Sequence, residues 1–142
     1  MQPTTLTPVN IALEIGRLDG VLATPNKAIG IVVFAQRIGG SRSAAHNNPV
    51  AAALQKKGIA TLLFDLVTPV EDSRHGNRFN VDLLAARLQL ATEWIWKLAG
   101  FADCPVGYFG IDIGGAAALR AAAHLGKRIR AVVSQGDRPD LA

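Results

Sequence analysis

The feature that most constrains this chain is a series of short, uninterrupted apolar runs separated by helical segments. Runs of this length and composition are typical of strands buried on both faces of a parallel sheet. They cover residues 29–35, 60–66, 105–109 and 129–134. Strands that alternate with helices predict the α/β class, here a three-layer sandwich with a mostly parallel sheet between helices.

The N-terminal segment has a different pattern. Residues 10–15 alternate, with Ile11, Leu13 and Ile15 on one face, and Asp19-Gly20 precedes a second apolar stretch at residues 21–23. Alternation around an Asp-Gly turn is typical of a β-hairpin. We therefore predict that an antiparallel hairpin begins the sheet.

Three helices are predicted between the apolar runs. Asn48 and Asn80 are suited to cap the first two, since an asparagine side chain accepts hydrogen bonds from the first free backbone N–H groups. The second helix has an apolar face at helical spacing, made of Val81, Leu84, Leu88, Ala91, Ile95 and Leu98. The third helix, residues 114–125, consists largely of small residues.

Composition limits the class of protein. With 142 residues, 49% hydrophobic and 18% charged, residues 1–142 are predicted to form a single domain with a substantial core. The net charge is +4, but the basic residues lie near predicted helix ends, where cations interact favourably with the helix dipole. We therefore predict no nucleic-acid partner.

The chain also shows no sign of export or membrane insertion. Its one cysteine, Cys104, cannot form an internal disulfide, and residues 1–8 lack the pattern of a signal peptide. No apolar run approaches the ~20 residues that span a membrane. A cytoplasmic location is the expectation.

Two predicted loops carry candidate functional residues at the carboxyl ends of strands. Residues 110–114, Gly-Ile-Asp-Ile-Gly, follow a strand and begin a helix, which is the context of the G-x-S-x-G nucleophile elbow, with Asp112 at the serine position. The predicted catalytic position is therefore Asp112. Residues predicted to bind an oxyanion or another anion are Gln36, Arg37, Gly39, Gly40 and Ile113.

These loops and the strands around them resemble dienelactone-hydrolase-like α/β-hydrolases, including members fused to phosphoribosyltransferase domains. The similar stretches are residues 31–35, 39–42, 58–69, 106–110 and 131–142. The resemblance implies an α/β-hydrolase-like fold and esters or lactones as the ancestral substrate class.

The departures from the family pattern fall at functional positions. The resemblance implies His-Gly where Gln36-Arg37 stands and serine where Asp112 stands. It also implies later strands with a catalytic acid and a histidine, which this sequence lacks. The expectation is thus a truncated domain without the last strands, with an engineered origin as a further hypothesis.

Three functional readings stay open, so the sequence alone does not decide whether the chain is an enzyme. The first is a hydrolase-fold domain of ester or lactone hydrolase ancestry that is catalytically inactive as it stands. The second is an Asp112-nucleophile hydrolase similar to haloalkane dehalogenases and epoxide hydrolases, for which the candidate bases are His46, His75 and His124. The third is an engineered, non-enzymatic scaffold that self-associates.

The loop at residues 36–42 also has a simpler interpretation. Arg37 could form a salt bridge with Asp112, or the loop could be a glycine-rich connection whose arginines are solvated. No cofactor is predicted, because neither G-x-G-x-x-G after the first parallel strand nor a phosphate-binding Gly-Lys-Ser/Thr loop is present. The polar loop with Glu71, Asp72 and His75 is not predicted to bind a metal.

The last predicted strand, residues 129–134, has no partner strand after it in this sequence. An apolar edge with unpaired N–H and C=O groups tends to recruit another strand. A homo-oligomer, or a complex with a complementary fragment, is therefore the predicted assembly through this edge.

Overall fold

The computed structural model describes residues 4–35, 48–72 and 80–136. In chain order the elements are β1 (Thr4–Ala12), β2 (Arg17–Pro25), β3 (Gly30–Ala35), α1 (Pro49–Lys56), β4 (Ile59–Phe64), α2 (Pro69–Asp72), α3 (Val81–Trp96), β5 (Val106–Ile111), α4 (Ile113–Leu125) and β6 (Ile129–Gln135).

The strands form a mixed six-stranded sheet in the order β1-β2-β4-β3-β5-β6. β1 and β2 form the predicted antiparallel hairpin, and β2 is also antiparallel to β4. The pairs β3–β4, β3–β5 and β5–β6 are parallel, as expected for strands joined by helical crossovers. The predicted α/β class and mostly parallel sheet are confirmed.

Helices cover both faces of the sheet. On one face α3 and α4 pack together over the main core, which includes the fully buried Val33, Leu62 and Leu88. On the other face α1 packs over a smaller cluster built around Phe34 and Leu63. These three layers explain why strands β3 and β4 are apolar without alternation.

The hairpin turn lies earlier than predicted. The chain turns between Ala12 and Arg17, and Asp19-Gly20 belongs to β2. A Cβ at Gly20 would lie 2.5 Å from Cβ of Phe64, so this glycine permits close approach of β2 to β4. Ile15, which was predicted to lie in a strand on the same face as Ile11, is 90% exposed in the turn.

The polar segment after β4 was predicted to be a loop, but it contains the one-turn helix α2. The Thr68 hydroxyl accepts from the Glu71 N–H at 3.1 Å, and a Glu71 carboxylate oxygen accepts from the Thr68 N–H at 2.9 Å. This reciprocal arrangement is a capping box. Glu71 also forms a two-point ion pair with Arg87 of α3, at 2.8 and 2.5 Å.

The two predicted asparagine caps are confirmed. The Asn48 side chain accepts from the N–H groups of Val50 and Ala51 at 3.0 Å, and the Asn80 side chain accepts from Leu83 at 3.1 Å.

Within the described ranges, no helix combines the length and the apolar composition needed to cross a membrane.

Candidate functional site

The sheet order reverses between β3 and β5, which are neighbours although α1, β4, α2 and α3 separate them in the chain. Ala35, the last residue of β3, is paired with Gly110 near the end of β5. In open α/β sheets, ligands bind outside the carboxyl ends of the strands at this kind of reversal. The topology therefore directs attention to the turn between β5 and α4.

Asp112 occupies that turn in a conformation rare for a residue with a side chain. Its φ is 53° and its ψ is −123°. The Asp112 N–H donates to the Gln135 carbonyl at 2.9 Å, and its carbonyl accepts from the Gly115 N–H at 3.0 Å. Two backbone hydrogen bonds thus hold the strained residue in place between β6 and the first turn of α4.

Glycines on both sides let the strand and helix pass closely. A Cβ at Gly110 would lie 2.5 Å from the Gly115 Cα and 2.6 Å from the Gly114 carbonyl oxygen. A Cβ at Gly115 would clash with the Ser134 hydroxyl oxygen. The residues therefore match a sharp turn in which β5, α4 and β6 are nearly in contact.

The Asp112 side chain is exposed at the head of α4. It forms no capping hydrogen bond with the helix. One of its carboxylate oxygens lies above Gly136, where a Cβ would approach to 2.6 Å. The carboxylate is therefore exposed at the carboxyl edge of the sheet and does not cap the helix.

Of the other predicted site residues, the structure places Ile113 beside Asp112 as the first residue of α4. Backbone N–H groups in the first turn of a helix have no acceptor within the helix, which suits them to anions. Gln36, Arg37, Gly39 and Gly40 lie outside the described residues, so their role in anion binding stays a prediction.

The candidate bases are separated from this turn or not described. His124 is exposed in the last turn of α4, roughly 16 Å along the helix from its start. It is too far to share a proton with Asp112. His46 and His75 lie outside the described residues. In the described part of the chain, no three His, Cys, Asp or Glu side chains form a potential metal site.

Three residues of the site were missed by the sequence analysis, because they lie at the end of the last predicted strand or directly after it. Gln135 binds the Asp112 backbone, Gly136 accommodates the carboxylate and Ser134 packs against Gly115. The Ser134 hydroxyl oxygen is buried without a hydrogen-bond partner among the described residues. Only the spatial pairing of β5 with β6 brings these residues to the turn.

No family model matches the chain. Among curated proteins, it is 50% identical over 123 residues to a provisionally named phosphoribosyl transferase found in two strains of Mycobacterium tuberculosis. That alignment covers 87% of this chain but only 28% of the relatives, so this chain spans about a quarter of their length.

Solved structures match most of the chain. A dienelactone hydrolase from Anabaena variabilis superposes with a TM-score of 0.88 at 45% identity, over 98% of this chain and 66% of that structure. A thermostable carboxyl esterase from Bacillus coagulans superposes with a TM-score of 0.70 at 19% identity, over 91% of this chain and 43% of that structure, which shows the fold alone. The sheet order, the strained turn and these superpositions lead to one conclusion: the chain has an α/β-hydrolase fold and an α/β-hydrolase ancestry.

Proposed function

We propose that this chain is a hydrolase-fold domain of ester or lactone hydrolase lineage, and that its β5–α4 turn is a nucleophile elbow with Asp112 where the lineage carries serine. As it stands, the chain does not cleave esters. The observation that carries the proposal is the backbone of Asp112, with φ 53° and ψ −123°.

This backbone argues for a site because a β-carbon is unfavourable in that conformation. A non-glycine residue in a sparsely populated region costs roughly 1–3 kcal/mol, and such residues cluster at active sites. In a nucleophile elbow the strain lifts the side chain off the sheet edge and exposes it. Exposed Asp112, between Gly110 and Gly115, meets that description.

The chemistry of a carboxylate explains the proposed inactivity toward esters. Attack by Asp112 on an ester carbonyl would expel the alkoxide and leave an anhydride on the enzyme. The anhydride is a better acyl donor than the ester. The expelled alcohol would therefore attack the anhydride and re-form the ester. No histidine among the described residues is placed to activate water beside Asp112.

The test compares the unmodified chain with Asp112→Asn and with the control Asp82→Asn, an exposed aspartate on α3. Each protein is assayed with an activated ester and with a small lactone. All three are expected to match the buffer rate. Turnover by the unmodified chain that Asp112→Asn abolishes and Asp82→Asn preserves would overturn the proposed inactivity.

A second candidate function is hydrolysis through an Asp112 nucleophile acting on haloalkanes or epoxides. It is favoured by the exposed, uncapped carboxylate at the head of α4. A carboxylate oxygen can attack a saturated carbon, forming a C–O bond as halide leaves with the C–X electron pair. With an epoxide, the C–O bond of the ring breaks and the released alkoxide takes a proton from water.

Either reaction leaves an ester on Asp112 that mass spectrometry detects. The protein is incubated with an iodoalkane or an aliphatic epoxide, and the adduct is located by peptide mapping. This candidate predicts modification of Asp112 in clear excess over Asp82 and no such adduct in Asp112→Asn. Equal labelling of Asp112 and Asp82, or no labelling of either residue, would exclude this second function.

A further inference from the structure

A small cavity opens where the parallel strands begin, at the opposite end of the sheet from the Asp112 turn. It has a volume of about 230 Å³ and lies between the end of α3, the segment before β5 and the start of β6. The six residues of β5 separate it from the Asp112 turn by roughly 20 Å. The polar and aromatic side chains that line this amino-edge pocket are Trp96, Asp103, Cys104, Lys127, Arg128 and Arg130.

Three cations line the amino-edge pocket. Lys127 and Arg128 belong to a single 3-10 turn after α4, and Arg130 belongs to β6. Among the residues that the structure describes, no carboxylate forms an ion pair with any of the three. A favourable interaction with the helix dipole accounts for Lys127 and Arg128 but not for Arg130. A concave surface lined by charges of one sign concentrates ligands of the opposite sign.

Arg128 is held in place by an aromatic ring. Its Cζ atom lies 3.4 Å from the centroid of the Trp96 ring, so the guanidinium stacks on the indole. The N–H groups of a guanidinium lie in its own plane, so a stacked arginine can still donate them sideways. Because the stack already restricts this long side chain, ligand binding costs less conformational entropy than it would with a mobile arginine.

The negative groups near the pocket do not cancel these cations. Asp103 contributes one exposed carboxylate. α3 and α4 both end near the pocket, and the C-terminus of a helix carries about half a negative charge. Burial raises the pKa of the Cys104 thiol, so this group stays neutral at pH 7. Against three cations, these groups leave the pocket positive by about one elementary charge.

A second cavity adjoins the amino-edge pocket on the side of β3. It has a volume of about 390 Å³ and shares Asp103, Cys104 and Pro105 with that pocket. Ile29, which is 67% exposed, lines it together with uncharged small residues. The two cavities together therefore suit a molecule with one anionic end and one uncharged, partly apolar end.

We infer that the amino-edge pocket binds a small organic phosphate. The phosphate group is held by Lys127, Arg128 and Arg130, and the organic part is directed toward Ile29. Phosphate fits better than a carboxylate, because its oxygens can accept hydrogen bonds from more than one arginine and its second charge offsets more of the positive charge. A nucleic acid fits less well, because the cations lie in one small cavity and not along a stripe that could follow a phosphate backbone.

Isothermal titration calorimetry at physiological ionic strength tests the site with inorganic phosphate and with phenyl phosphate. Phenol is the uncharged control. Arg128→Gln and Arg130→Gln each remove a proposed phosphate contact. Lys56→Gln is the matched control, since Lys56 is an exposed cation in the last turn of α1 that does not line the pocket. Asp103→Asn removes the negative charge from the pocket.

The unmodified chain is expected to bind one phenyl phosphate, more tightly than inorganic phosphate, whereas phenol gives no measurable heat. Each arginine variant should bind on the order of ten-fold more weakly, because a charge-assisted hydrogen bond is lost. Lys56→Gln should bind as the unmodified chain does, and Asp103→Asn should bind more tightly. Asp112→Asn should also bind normally, which distinguishes this site from the proposed nucleophile elbow.

Three outcomes overturn the inference. The first is the absence of saturable phenyl phosphate binding up to tens of millimolar. The second is equal weakening in Lys56→Gln and in both arginine variants, which would indicate a response to net charge alone. The third is binding of an oligonucleotide by a chain that does not bind phenyl phosphate. All the substituted side chains at the pocket are exposed, so the fold should be retained, and circular dichroism checks it.

Discussion

At the scale of single residues, Asp112 is where the chain departs furthest from ordinary backbone geometry. The only other described non-glycine residue with positive φ is Lys27, at 57°. Lys27 lies in a turn after β2, where the left-handed conformation is common. Asp112 combines positive φ with ψ near −123°, a region that glycine occupies without a steric penalty.

Asp112→Gly is therefore expected to stabilise the protein, in contrast to most glycine substitutions. The gain should be about 1 kcal/mol, since relief of strain exceeds the added entropy of the unfolded chain. Urea unfolding measures it. Asp103→Gly, at a residue without positive φ, serves as the control and should lower the free energy of unfolding. A loss of stability in Asp112→Gly would contradict the assigned strain.

Tyr108 allows a second residue-scale prediction, because it is the only tyrosine in the chain. The Thr92 hydroxyl donates to the Leu88 carbonyl at 2.7 Å and is 2.5 Å from the Tyr108 hydroxyl. Burial raises the pKa of Tyr108 to about 12. Phenolate formation, followed by ultraviolet absorbance, should have a midpoint near that value in the folded chain.

In denaturant the same titration should return to the ordinary tyrosine pKa of about 10. Because the folded pKa is the higher one, Tyr108 stabilises the fold below the unfolded pKa, and this contribution is lost as the pH rises toward 12. Tyr108→Phe should therefore reduce the alkaline loss of stability. A folded-state midpoint near 10 would show that the ring is not buried as described.

At the scale of elements, the sequence predicted the strands of the core better than their connections. Continuous apolar runs identify β3 and β4 because burial on both faces leaves little freedom of composition. The apolar run of β6 also located a strand, but the predicted burial on both faces was wrong, since no residue of β6 is fully buried. The turn of the hairpin was misplaced because Asp-Gly is a strong local signal, whereas Gly20 is needed for contact with β4. The contact between Gly20 and β4 joins residues that are distant in the sequence, so no local pattern indicates it.

α2 was missed for a similar reason. A one-turn helix has too few residues for helical periodicity, and its capping box, Thr68 with Glu71, was read as a polar loop. The ion pair with Arg87 joins residues sixteen positions apart, which no local pattern indicates. As for the candidate site, the sequence located Asp112 and Ile113, whereas Ser134 and Gly136 required the pairing of β5 with β6.

The stability of α2 should depend on pH through Glu71. The Arg87 side-chain hydrogen bond is the main cause that lowers the Glu71 pKa below its ordinary value of 4.5. A lowered folded pKa means that the pair stabilises the fold above about pH 4.5 and that this contribution disappears as the pH falls through the folded pKa.

Glu71→Gln should cost about 1–3 kcal/mol at pH 7, because Arg87 is left only 13% exposed without its ionic partner. The difference in free energy of unfolding between the unmodified chain and Glu71→Gln should be smaller at pH 3. Asp82→Asn, which removes the more exposed pair with Arg120, should have a much smaller effect in the same unfolding experiment. If Glu71→Gln lowers the free energy of unfolding by the same amount at pH 7 and at pH 3, the role of the ion pair is contradicted.

At the scale of the whole molecule, backbone amides should be best protected from hydrogen exchange in the middle of the sheet. β3 is flanked by β4 and β5 and covered by helices, whereas β1 and β6 lie at the edges. Amide hydrogen exchange in dilute protein should therefore be slowest in β3 and faster in β1 and β6. Exchange in β3 that is as fast as in β1 would contradict the described sheet order.

The position of β3 in the sheet order also bears on how the chain is synthesised. Its neighbours β4 and β5 both follow it along the chain, and β5 is reached only after α3. During translation, this highly apolar strand therefore keeps one edge open until residues 106–111 have left the ribosome. Open apolar edges promote aggregation, and pairing between distant strands is slow. The strand expected to be best protected in the finished molecule is thus the one that waits longest for its second neighbour while the chain is being made.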